Sequence, residues 1–128
     1  MIASKYDTPP VYQASVRRNR YNTYMPSSEL SVMFCYVYVL WSTSNQSIYI
    51  GSTRDLRRRL TEHNKGLDRS TKPHRPWELI FYEAHREESD ARRRENYLKT
   101  TAGRRGLKRM IRDNLAKCND LNQQKVYY

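Results

Sequence analysis

Arg59 and His63 stand four residues apart, the separation that puts two side chains on one face of a helix. A guanidinium offers a planar fork of donors that matches phosphate oxygens, and an imidazole exchanges a proton near neutral pH. Tyr38 and Tyr49 fall in two short runs rich in β-branched and aromatic residues. Glu95 follows Arg92, Arg93 and Arg94 and precedes Lys99 by four positions. Each has an ordinary reading as well. The tyrosines suit cross-strand packing, Arg59 belongs to a run of three arginines, and Glu95 with Lys99 is the pattern of an exposed ion pair.

Charge narrows the partner. The chain has 128 residues, 24 of them Lys or Arg against 13 Asp or Glu, for a net charge of +11. Residues 36–112 hold 18 of those basic and nine of those acidic residues, so the basic surface belongs to the middle of the chain. Phosphates are its natural complement, which points to nucleic acid, with DNA expected and RNA left open. An anionic membrane surface competes, but no helix pattern sets a clean apolar face against a basic one, and no run is long enough to span a bilayer. Cys35, Cys118 and the three histidines (His63, His74, His85) match no zinc spacing, so free thiols in a cytoplasmic protein are expected.

The elements that must position these residues read as β-β-α-β-α-α. Met33–Trp41 is a strand, Ser42–Ser47 a turn, and Ile48–Ile50 a second strand ending at Gly51. Asp55, then Leu56, Leu60 and His63 at helical spacing, then Gly66 mark a capped helix. Trp77–Tyr82 reads as a third strand. Ser89 or Asp90 is expected to cap a helix from Ala91 to about Thr100, with Ala91, Tyr97 and Leu98 inward. A last helix is expected from about Arg104 to Leu115, with Leu107, Met110, Ile111 and Leu115 inward. The fold class is a small α+β domain, a three-stranded antiparallel sheet flanked by helices. Residues 1–31 read as a flexible polar leader, 32–116 as the domain, and 117–128 as a frayed polar tail.

With these elements in order, Tyr36-Val37-Tyr38 and Tyr49-Ile50-Gly51 resemble the two motifs of the GIY-YIG nuclease superfamily, whose motif tyrosines have the same separation. The first motif departs from the family name, with Tyr36-Val37 where Gly-Ile would stand. The resemblance continues through Ser52-Thr53-Arg54-Asp55-Leu56, Arg59, His63, Arg75-Pro76-Trp77, the strand ending at Glu83, Arg94-Glu95 and Lys99, covering more than half of the chain.

The resemblance implies a one-metal hydrolase of DNA phosphodiesters. Tyr38 would help activate the attacking water and Tyr49 would help hold the water or the phosphate. Arg59 would stabilise phosphate charge with help from His63, and Glu95 would be the sole protein ligand of Mg²⁺ or Mn²⁺. A neighbouring arginine and metal are expected to favour the ionised form of Tyr38. Arg54, Arg58, Lys72, Arg75, Lys99, Arg104, Arg105 and Lys108 are the expected contacts to the nucleic-acid backbone. Several family members carry an asparagine about a dozen residues after the glutamate. Leu107 falls there and Asn114 is the next candidate, so that role is expected to be absent or to pass to Lys99 or Lys108. The alternative reading is a non-catalytic binding module that keeps the fold. Neither target sequence nor oligomeric state is encoded in these residues, and no added DNA-reading motif suggests high sequence specificity.

Overall fold

The computed structural model describes residues 33–125, and the expected leader lies outside them. Alternating β-branched and aromatic residues form β1 (Cys35–Ser42), which lies between β2 (Ile48–Thr53) and β3 (Trp77–His85) in an antiparallel sheet of order β2-β1-β3. Helices α1 (Leu56–Lys65), α2 (Glu88–Lys99), α3 (Thr101–Met110) and α4 (Arg112–Lys125) complete the α+β domain.

The central strand is buried on both faces, and its alternation divides the core. Val37 and Val39 join Ile50, Ala91, Leu98, Leu107 and Ile111 beneath α2, α3 and α4. Tyr38 and Leu40 join Trp77, Leu79, Leu56 and Leu60 beneath α1. Burying each such large apolar side chain contributes roughly 1.5–3 kcal/mol, so the two half-cores supply most of the drive to fold. Between Val39 and Leu40 the β1–β3 register shifts, leaving Ile80 as an extra residue. Its carbonyl accepts a 2.7 Å hydrogen bond from Asn114 Nδ2, so the backbone group freed by the bulge keeps a partner.

Helix α1 starts and stops where expected. Asp55 caps its N-terminus by accepting from the Arg58 N–H at 3.0 Å, and Gly66 ends it at φ 76°, a conformation that disfavours any side chain. Several expectations need correction. The second strand runs on through Gly51 to Thr53, because both residues remain paired to β1. Neither Ser89 nor Asp90 caps α2, which begins earlier, with Glu87 at the cap position and no side-chain cap bond. The single helix expected over 104–115 is two. Thr100 caps α3 by accepting from the Gly103 N–H, and the chain turns at Ile111. Gly103, Leu107 and Ile111 take the inward side of α3, and Met110 is 56% exposed, while Tyr97 on α2 is also half-exposed. Residues 117–125 continue α4 rather than fraying, because Ile111, Leu115, Cys118 and Asn122 recur on its inward side. Cys35 and Cys118 are free, buried thiols.

Candidate active site

Tyr38 lies across the backbone of its cross-strand partner Gly51. A Cβ at Gly51 would stand 2.5 Å from the Tyr38 hydroxyl and 2.6 Å from Cζ, so only glycine leaves the ring its place. The hydroxyl lies 2.9 Å from His63 Nε2 and accepts from Arg59 Nε–H at 3.3 Å. His63 Nδ1 meets Thr71 Oγ1 at 2.8 Å, and the Thr71 carbonyl is fixed by Trp77 Nε1–H at 2.9 Å. With Nδ1–H donating to Thr71, Nε2 is left to accept the Tyr38 proton. The Tyr49 ring packs edge-on against His63 at 4.9 Å and against Trp77 at 6.1 Å, bracketing the imidazole.

Burial sets the titration of this cluster. It pushes the Tyr38 phenol well above its ordinary value of 10.0, and the Arg59 hydrogen bond opposes that only in part. Arg59 does favour the ionised form, as expected, but burial outweighs it, and Tyr38 is a neutral phenol at neutral pH in the protein alone. Burial first, and the Arg59 charge second, hold His63 below its ordinary 6.5. The unfolded chain thus binds that proton more readily than the folded one. The stability due to neutral His63 is complete above about pH 6.5 and is lost as the pH falls below it. Thermal melts should show stability dropping between pH 7.5 and 5.5, with a shallower drop in His63→Gln. Equal slopes in the two proteins would contradict the assignment.

All three nitrogens of Arg59 are engaged. Besides Tyr38 it donates from one terminal nitrogen to Glu62 at 3.1 Å and from the other to Asp68 at 2.6 Å. Asp68 is held below the usual carboxylate range, by the Ser70 hydroxyl first and also by Arg59.

Glu95 stands on α2. Along β2, Ile48, Ile50 and Ser52 share the face that meets α2, and Ser52 Oγ–H donates to Glu95 Oε2 at 2.5 Å. Lys99 Nζ donates to Oε1 at 2.7 Å. Ser52 pairs with Val37 on the α2 face, whereas Tyr38 stands on the α1 face, so the bonds of Glu95 run to Ser52 and Lys99 and not to the Tyr38 cluster; its charge is the last and smallest of the influences that raise the Tyr38 phenol. Among the described residues no group of three or more His, Cys, Asp or Glu could hold a metal. A single, partly exposed carboxylate, 17% open on its side chain, fits a hard cation that keeps most of its waters and takes substrate phosphate as a further ligand. A carboxylate has about four lone-pair positions, so the Ser52 bond leaves room for one.

The other expected contacts scatter around this centre. Arg54 is bridged to Glu88 at 2.7 Å and Arg58 to Glu62 at 3.6 Å, both still largely open. Lys72 and Arg75 lie exposed in the loop before β3, joined by a 2.9 Å bond from Arg75 Nε–H to the Lys72 carbonyl. Arg104, Arg105 and Lys108 line one shallow depression on α3. Lys108 also borders Trp41 and Ile48, at the opposite end of the sheet from Ser52. Lys99, not Lys108, is thus the lysine at Glu95. Leu107 is core, and Asn114 is committed to the bulge carbonyl.

Four residues that support the site escaped sequence reasoning. Thr71 and Asp68 act through a loop whose closure no local spacing announces, whereas Glu62 lies three residues after Arg59, a spacing that puts the two on one helix face. Ser52 did carry a signal, since alternation from Ile48 and Ile50 puts it on the α2 side.

A family model described as the GIY-YIG catalytic domain matches residues 34–108. A UPF0213 protein of Pediococcus acidilactici is 33% identical over 76 residues, covering 57% of this chain and 76% of that protein. A UPF0213 protein of Staphylococcus aureus is 33% identical over 79 residues, covering 61% of this chain and 94% of its own length. The structure-specific endonuclease subunit slx1 of Schizosaccharomyces japonicus is 46% identical over 51 residues, 38% of this chain but only 19% of that protein. No solved structure matches the chain. Among the described residues, no helix is long and apolar enough to cross a membrane.

Proposed function

This chain belongs to the GIY-YIG family, and on that premise we propose that it is a divalent-metal-dependent endonuclease that hydrolyses DNA phosphodiester bonds. We assign it structure-selective or weakly specific cleavage in DNA repair or recombination. The observation that carries the reading is the convergence of Tyr38, Arg59 and His63 in one hydrogen-bonded cluster.

Glu95 would hold Mg²⁺ or Mn²⁺, with Ser52 fixing the carboxylate. When bound, the cation polarises the phosphate and stabilises the leaving oxygen. Tyr38 is only 2% exposed and Arg59 lies against its hydroxyl, so substrate has to draw Arg59 outward. A phosphate offers the guanidinium two acceptor oxygens on one group in place of one each from Glu62 and Asp68, and the exchange opens Tyr38 to water. The Tyr38 hydroxyl then takes a proton from the attacking water as its own proton passes to His63 Nε2. Thr71 and Trp77 hold the imidazole in the accepting orientation. Arg59 keeps its charge on the phosphate oxygens through the transition state.

The engaged Arg59 and the buried, un-ionised Tyr38 favour a second reading, a binding module without catalysis. Supercoiled plasmid and a labelled branched duplex, each incubated in Mg²⁺, Mn²⁺ and EDTA, separate the two. Nicking that needs the cation supports the nuclease. Binding without cleavage of either substrate, or of a matching RNA, leaves the binding module.

A further inference from the structure

Helix α1 covers the part of its sheet face that holds Leu40, Trp77 and Leu79. Beyond Tyr38 the same face carries Tyr36 and Tyr82, whose rings meet edge-to-face with centroids 5.9 Å apart and planes at 71°. Tyr82 is the direct cross-strand partner of Tyr38, and such partners have Cβ atoms about 5 Å apart. Yet Tyr82 is 55% exposed while Tyr38 is 2% exposed. The sheet face thus passes within one residue pair from a sealed hydrogen-bonded cluster to an open aromatic surface. Tyr36 pairs with Thr53, the residue before the open cation Arg54.

An exposed aromatic ring beside a basic site has a specific use. Every nucleobase has a π face, and stacking on tyrosine holds it without reading its sequence. A base inside a duplex already has both faces covered, so only a base freed from its stack can use such a ring. We propose that Tyr36 and Tyr82 form a stacking platform for one unstacked DNA base next to the phosphate at Tyr38. The preferred substrate is then DNA with an unpaired nucleotide at the cleavage point, as at a flap, gap or branch. The placement of the phosphate rests on the nuclease reading above, whereas the platform itself does not.

The test uses the full chain in EDTA, which separates binding from cleavage. The probes are a flapped duplex with 2-aminopurine at the unpaired position and a fully paired duplex of the same sequence. Stacking on the platform should change the 2-aminopurine fluorescence and favour the flapped probe. Tyr82→Ala should weaken binding of the flapped probe by roughly tenfold and leave the paired duplex unchanged, while Tyr82→Phe keeps the preference. Because Tyr82 is exposed, thermal melts of both variants should match the parent. Unchanged binding of both probes by Tyr82→Ala overturns the inference. So does a change in sedimentation alone, which marks the patch as a self-association surface. Platform-dependent binding with no Mg²⁺-dependent cleavage keeps the platform and removes the nuclease. Cleavage that ignores Tyr82 does the reverse.

Discussion

Glu95→Ala is expected to lower metal-dependent strand cleavage by roughly 100-fold or more, the scale on which removing a charge-stabilising group slows a reaction. In the proposed nuclease the carboxylate is the cation ligand, and alanine leaves Ser52 and Lys99 without their partner. The fold should survive. The lost pair with Lys99 is an i,i+4 contact worth about 0.3–0.5 kcal/mol, and Lys99 is 44% exposed on its side chain and free to turn to solvent. Cleavage rates at saturating DNA, read beside thermal melts, check this. A variant that melts like the parent and still cuts in Mg²⁺ would remove Glu95 from the site.

Gly51→Ala should damage both stability and rate through a single methyl group. The added carbon meets the Tyr38 hydroxyl and Cζ at 2.5 and 2.6 Å, and that ring is walled in by His63, Arg59 and Tyr49. Overpacking of this kind costs about 1–3 kcal/mol. In a domain of this size it lowers the melting temperature by several degrees. The ring must also shift, and misplacement by about 1 Å can slow an enzyme on the order of 100-fold. In the double variant with Tyr38→Ala, the stability cost should fall below the sum of the two single costs, because the methyl then has space. Strict additivity would show that the clash is relieved some other way.

Much of this site is legible in the chain before folding. Asp55, Leu56, Leu60 and Gly66 specify α1 and therefore the shared face of Arg59 and His63, because caps and periodicity are local signals. The strands holding Tyr38 and Tyr49 are legible for the same reason. What local spacing cannot carry is closure. His63 takes its orientation from Thr71, eight residues away, and Arg59 is held by Asp68, nine away, across a loop with no periodic pattern. The bulge at Ile80 is invisible until β3 pairs with β1, and only then does Asn114 acquire its partner. The break at Ile111 follows from how α3 and α4 each find the sheet, a tertiary choice that overrides a continuous helical pattern.

Arg59 has one more consequence. Its side chain carries about 2 kcal/mol of rotamer entropy when free, and here it is already ordered by Glu62, Asp68 and Tyr38. In the proposed nuclease an incoming phosphate would meet an ordered guanidinium and draw it a short way outward, exchanging carboxylate partners for phosphate oxygens. The two carboxylates would there act as placeholders for the substrate. They weaken binding at rest, and in return they keep the arginine near the place where negative charge will develop.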